Sequence, residues 1–156
     1  MADPHALLTR AFELAQEARA VGDHPFGALL AVDGEVVAEA RNRVSSDSDV
    51  TAHAETGLVR VLQRAGRLED FGRGVVYASC EPCPMCVGAL FWAGARHVVF
   101  GLSSARLSWL ASAPGQQEYG LSITAAEIAS RATPYFRVDG PHREHEAQRA
   151  HLGFWL

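Results

Sequence analysis

Three side chains able to bind a borderline cation stand at informative spacing in the middle of this chain: His53, two positions before Glu55, and Cys83 and Cys86 within Cys-Pro-Met-Cys. Cysteines at i and i+3 at the start of a helix share one face, and the positive helix terminus favours their thiolates, so both can hold one ion. With His53 the set becomes three protein ligands, which leaves a tetrahedral zinc a fourth position for water, the pattern of a catalytic centre. Zinc lowers the pKa of such a water from about 15.7 to roughly 7. Glu55 can reach the same cavity without ligating and take the proton. Other chemistries fit some of the same letters. Cys80 as a fourth ligand would close the set into a structural zinc module. Cys80, Cys83 and Cys86 also open like an iron–sulfur run, but the chain has no fourth cysteine. A redox dithiol would explain Cys83 and Cys86 and leave His-Ala-Glu without a role.

Such a site needs two helices that begin side by side, and the hydrophobic pattern provides them. Ala54, Leu58, Val61, Leu62 and Ala65 recur at helical spacing up to Gly66, with Thr51 or Asp49 as candidate caps, and Pro84 to Ala93 is a second helix. Before them, Asp3-Pro4 opens a helix carrying Leu7, Leu8, Ala11, Leu14, Ala15 and Ala18, which Gly22 ends. Phe26 to Val32 and Glu35 to Ala40 flank Asp33-Gly34 as a hairpin, and Arg43 to Val50 is a polar loop. Gly74 to Ser79 and His97 to Phe100 are strands on either side of the Pro84 helix, so they pair in parallel through a right-handed crossover. Segment 101–122 has no sustained periodicity and is a candidate binding loop, although Leu107, Trp109 and Leu110 could belong to the core. Thr124 to Glu127 is a capping box, Tyr135 to Val138 a last strand and Glu144 to Leu152 a polar terminal helix. The fold expected is α/β: a three-layer α/β/α sandwich with a central mixed five-stranded sheet, one domain over residues 1–156.

Composition narrows the partners. Fourteen basic residues, all arginine, face 18 acidic ones for a net charge of -4, so a large nucleic acid is disfavoured. No apolar run approaches the roughly 18 residues that span a bilayer, and MADPHALLTR lacks the basic start and apolar stretch of a signal peptide, which predicts no membrane association and a cytoplasmic location. Three cysteines packed between positions 80 and 86 do not form the framework of a disulfide-rich secreted protein. Val87, Leu90, Phe91 and Trp92 surround most of the 84–93 helix, and Phe154, Trp155 and Leu156 add apolar bulk at the C-terminus. One sheet covers only one side of that helix, so a two-fold homodimer is expected, with the tail packed on the partner or over the mouth of a site.

Thr51-Ala52-His53-Ala54-Glu55 followed by Glu81-Pro82-Cys83-Pro84-Met85-Cys86 resembles the cytidine deaminase-like superfamily of zinc-dependent hydrolytic deaminases, over a span from Phe26 to about Leu102. Pro25-Phe26-Gly27-Ala28, the run Ser79 to Cys86 and Phe91-Trp92-Ala93 look most like bacterial guanine deaminases. The resemblance implies Zn2+ on His53, Cys83 and Cys86, with Glu55 as proton carrier in hydrolysis of a small nucleobase, guanine to xanthine and ammonia first, with a tRNA adenosine-to-inosine deaminase or a cytosine or nucleoside deaminase as the alternatives. It further implies that Asn42 hydrogen-bonds the base, Phe26 stacks on it, the Ala54 N–H holds a ring substituent, the Glu81 carbonyl receives the leaving amine and Trp92 contributes to the pocket. Guanine also calls for a carboxylate after the His97–Phe100 strand. Residues 101–117 contain no acid, so Glu118 is the candidate replacement. The tRNA adenosine deaminases share Thr-Ala-His-Ala-Glu but usually have proline where Val50 stands and a basic C-terminal helix. Here residues 142–151, HREHEAQRAH, are mixed in charge.

Overall fold

At Asp33-Gly34 the chain reverses with both residues at positive φ, 51° and 80°, as a tight hairpin turn of matching twist requires. The turn joins β1 (Gly27–Val32) to β2 (Glu35–Arg41) in the computed structural model, which describes residues 4–116 and 120–155. Three further strands, β3 (Val75–Cys80), β4 (His97–Leu102) and β5 (Arg137–Asp139), complete a sheet of order β2-β1-β3-β4-β5. β1 is antiparallel to both neighbours, whereas β3, β4 and β5 run parallel. This is the mixed sheet expected from a hairpin feeding a strand–helix–strand unit.

Helix α1 (Pro4–Ala20) covers one face, packing Leu7, Leu8 and Leu14 on Leu29, Ala31, Tyr77 and Val99. It lies so close to β1 that a Cβ on Gly27 would sit 2.4 Å from Leu14 Cβ and 2.6 Å from the Ala11 carbonyl oxygen. The opposite face carries α3 (Ala54–Arg64) and α5 (Pro84–Ala93), whose Leu58, Leu62, Val87 and Leu90 are buried against Leu30, Val76 and Val98. Truncating one such leucine to alanine costs about 2–5 kcal/mol. The α/β/α layering follows directly from these two clusters.

The structure departs from the sequence-based expectations where long-range contacts supply what local pattern lacks. The polar loop 43–50 contains a short helix, α2 (Val44–Asp47), and a further turn of helix, α4 (Asp70–Arg73), buries Phe71 before β3. Segment 101–122 is no plain loop: α6 (Ser104–Ala111) forms there, its first turn tied down by Ser103 Oγ, which accepts from the Arg106 N–H, and by two distant carboxylates. Glu144 accepts the Ser103 N–H and hydroxyl, and Glu81 accepts those of Ser104. Leu107 and Leu110 then pack on Cys80 and Leu102, while Trp109 stays outside with the Arg106 guanidinium 4.3 Å from its ring centre. The capping box forms as expected at α7 (Ala125–Ala129), where Thr124 and Glu127 exchange bonds. The last strand begins at Arg137 rather than Tyr135. The terminal helix is split into α8 (Glu144–Ala147) and a 3-10 turn over Gln148–His151. The C-terminal segment folds back onto its own chain, with Phe154 and Trp155 against His24 and Trp155 against Phe26. Leu156 and Glu118 lie outside the described residues. No helix among the described residues is long and apolar enough to cross a membrane.

Candidate active site

His53 and Cys83 occupy equivalent positions. Each is the residue that precedes the first turn of its helix, His53 before α3 with φ -74° and ψ 165° and Cys83 before α5 with φ -68° and ψ 167°, and neither side chain caps its own helix. Neither Thr51 nor Asp49 takes the cap of α3. Asp49 accepts the Thr51 N–H and hydroxyl instead, bracing the loop ahead of His53. Both N-cap side chains turn toward each other, and Cys86 joins them from the first turn of α5.

His53 Nδ1 lies 3.6 Å from Cys83 Sγ and 3.5 Å from Cys86 Sγ, and all three ligand atoms fall within 4.8 Å of one another. A tetrahedral zinc with ordinary Zn–S and Zn–N bonds separates its nitrogen and sulfur ligands by about 3.6 Å, so the donor set fits that ion. The Cys86 thiol beside Cys83, and then the His53 ring, hold the Cys83 thiol down at about 4, while Cys83 and burial push Cys86 well above the thiol range. A thiolate is therefore ready for a cation at neutral pH. Cys80 stays out of this group. It is buried with Leu102 and Ala147, and burial drives its pKa well above the usual thiol value, so it behaves as a small apolar side chain.

Glu55, in the first turn of α3, is only 6% exposed. Burial raises its carboxyl above the ordinary range, the direction that lets a carboxylate both take and return a proton near neutral pH. Ala54 opens α3, so its N–H belongs to the first turn, where helix amides have no intrahelical acceptor.

Asn42 follows β2 and is 1% exposed. Its backbone N–H donates to the Phe26 carbonyl at 3.0 Å, and its side-chain Oδ1 accepts the Val44 N–H at 3.0 Å. That bond fixes the orientation of the amide, Oδ1 toward Val44, and leaves Nδ2 as the donor end. Phe26 is half-buried and packs in the cluster that contains Ala54. The Glu81 carboxylate clamps the first turns of α6 and α7, accepting Ser104 N–H and Ala125 N–H at 2.8 and 3.0 Å, and its carbonyl accepts no hydrogen bond among the described residues. Trp92 stands apart: it is 85% exposed on the outer side of α5, with Phe91 as its ring neighbour. Within one chain it does not join the other residues named from sequence.

Three residues without any motif signal complete the surroundings. Asp23 is fully buried and accepts from Ser46, beside α2. His24 lies near His53, and burial followed by that neighbour lowers its pKa. His151 meets Phe26 edge-on at 5.2 Å. Their ordinary spacing in sequence conceals them, because each reaches the site through tertiary contact alone.

Residues 1–102 match the family model described as the cytidine and deoxycytidylate deaminase zinc-binding region. Over 151 residues the chain is 40% identical to a probable cytosine deaminase of Schizosaccharomyces pombe, covering 96% of this chain and 91% of that protein. It is 40% identical over 94 residues to the guanine deaminase of Bacillus subtilis, 60% of each chain. The solved structure of the latter superposes with a TM-score of 0.66 at 30% identity, over 83% of this chain and 90% of that one. A structure from work on tRNA deaminases that edit A to I at the wobble position gives 0.72 at 27% identity, over 94% and 99%.

Proposed function

Since this chain belongs to the cytidine and deoxycytidylate deaminase zinc-binding family and is a zinc-dependent deaminase, we propose that its substrate is a free, oxo-bearing nucleobase, cytosine ahead of guanine. The observation that carries the reading is the orientation of Asn42. With Oδ1 turned to the Val44 N–H, Nδ2 is the donor end of this buried residue and suits the oxo oxygen of cytosine or guanine. Guanine also brings adjacent N–H donors that call for a carboxylate, for which residues 101–117 supply none and Glu118 is the candidate, whereas cytosine makes no such demand. The S. pombe relative, similar along nearly the whole chain, points the same way. Guanine is the second reading, favoured by the likeness to the B. subtilis enzyme.

His53, Cys83 and Cys86 would hold the zinc, which when bound would supply a Lewis acid that acidifies water to near neutral pH. The rest of the chemistry falls to the chain itself. Glu55 takes the proton from the attacking water as the C–O bond forms at the amine-bearing ring carbon. It delivers that proton to the ring nitrogen, then takes the proton of the newly added hydroxyl as the ring C=O forms and gives it to the amine as the C–N bond breaks, so base and water become oxo base and ammonia. Phe26 stacks on the ring, the Ala54 N–H holds a substituent, and the Glu81 carbonyl, unengaged among the described residues, receives the departing amine. A net charge of -4 makes a polynucleotide substrate unfavourable. The exposed face of α5, Met85 and Trp92 on either side of Gly88 and Ala89, is the surface on which a second copy packs, giving a homodimer.

Ammonia release from cytosine, guanine, adenine and their nucleosides, with and without a chelator, tests the reading. Chelator-sensitive turnover of cytosine or guanine in preference to adenine and nucleosides is expected; preference for a nucleoside or adenine overturns it.

A further inference from the structure

His151 is 2% exposed and sits where aromatic rings from both ends of the chain meet. Phe26 is 5.2 Å away edge-on, and the Trp155 indole lies nearly parallel to it, 13° between planes. The Trp155 indole N–H donates to His151 Nδ1 at 3.1 Å. An indole nitrogen can only donate, so Nδ1 is the bare nitrogen and the proton of the neutral ring resides on Nε2. That Nε2 is buried and has no hydrogen-bond partner among the described residues. Buried donors are nearly always paired, so an orphan N–H inside an aromatic cluster marks a place for an acceptor that the chain does not supply.

The cluster is continuous with the site. Phe26 links it to Asn42, which donates to the Phe26 carbonyl, and to Trp155, whose ring is 6.1 Å from that of Phe26. The segment is held firmly: Arg19 of α1 donates to the carbonyls of Ala150 and Leu152 at 2.9 and 2.7 Å.

We infer that His151 is a specificity-determining residue of the proposed base site, its Nε2–H donating to an oxo oxygen of the bound base, with Trp155 the positioning residue that holds the imidazole in that tautomer. The inference rests on the free-base reading and adds to it a second discriminator besides Asn42. A base that presents an amino group at this edge sets two donors against each other and leaves both unpaired, so it is rejected.

The test measures kcat and KM of zinc-loaded wild type, His151→Phe and Trp155→Phe on cytosine and on 4-aminopyrimidine, which lacks the oxo group. If the panel above selects guanine, guanine and 2-aminopurine take their places. For His151→Phe a rise in KM of about tenfold or more on the oxo base alone is expected, with kcat little changed, and for Trp155→Phe a smaller rise of the same selectivity. Equal losses on both substrates, or none, overturn the assignment and make His151 a packing residue. Should His151→Phe fail to fold, the imidazole 15N–1H correlations of the wild type decide. His151 Nε2–H must shift when uracil, or xanthine for a guanine enzyme, is added, and no shift overturns the inference. Wild type that turns over no free base overturns the substrate reading itself, a result distinct from unselective loss in the variant.

Discussion

Asp23 accepts both the backbone N–H and the hydroxyl of Ser46, at 2.8 and 2.6 Å, from a carboxylate with no exposure. Burial alone would raise its pKa, yet the two Ser46 donors and the Arg41 guanidinium 3.6 Å away hold it below the usual carboxylate range. The bond pins α2, whose first residue, Val44, orients Asn42. Asp23→Ala removes charge-assisted bonds and leaves the buried Arg41 Nη1 without its counter-charge, so a loss of about 3 kcal/mol in urea unfolding is expected. A higher KM should accompany it, because Asn42 loses its brace. An unchanged urea midpoint would contradict this.

Metal content separates ligands from bystanders. One zinc per chain is expected in wild type and in Cys80→Ser, because Cys80 is buried away from the convergent trio, and loss of zinc in Cys83→Ser, Cys86→Ser and His53→Ala. Atomic absorption on dialysed protein reads this directly. Zinc lost from Cys80→Ser as completely as from Cys83→Ser would restore the closed four-ligand alternative.

Glu55 differs from the ligands in being dispensable for the metal. Glu55→Gln keeps the shape and should retain zinc while turnover falls by about 10²–10⁴, the usual contribution of a positioned acid–base group. Near-normal ammonia release from a zinc-loaded Glu55→Gln protein would remove it from the mechanism.

The α5 surface makes a prediction about assembly. Trp92→Glu places a charge at the centre of the exposed apolar face without touching the core, so light scattering should move from a dimer to a particle of 16.8 kDa with little change in unfolding temperature. A wild-type protein that scatters as a monomer at micromolar concentration rules out the dimer.

His151 also gives stability a pH dependence. Burial first, and then the Arg19 guanidinium, lower its pKa from 6.5 to about 4, so the unfolded chain takes up a proton at a pH where the native state does not. Stability should therefore fall as pH drops from about 6.5 to 4, by about 3 kcal/mol for the full shift, and level off below. The depressed carboxylates of Asp23, Glu39 and Asp139 add to the decline only toward its acid end, since their contribution is full above the ordinary carboxylate values of 3.8 to 4.5 and is lost as pH falls below them. Urea midpoints at pH 7, 5.5 and 4.5 should decline in wild type and decline less in His151→Phe. Parallel slopes would show that His151 is not the group responsible.

Much of this protein is local and therefore legible in its residues. Helical periodicity set α1, α3 and α5 within a residue or two, Asp33-Gly34 set the hairpin, and Thr124 with Glu127 set a cap. The zinc trio could be named because each ligand begins or enters a helix, where spacing alone places side chains on one face. What spacing does not encode is which distant groups meet. Helix α6 has weak periodicity and forms because Glu81 and Glu144, 23 and 41 residues away, anchor its first turn. Phe26 and His151 look like a core aromatic and a surface helix residue until β1 and the C-terminal turn come together. Trp92 has the composition of a pocket residue yet lies outside its own chain's site, because helix rotation is fixed by packing of Val87 and Leu90. The composition of the centre, three ligands and a buried acid, was determined by sequence. The walls that select a substrate were decided only by tertiary contact, since each is a single residue whose partner lies far along the chain.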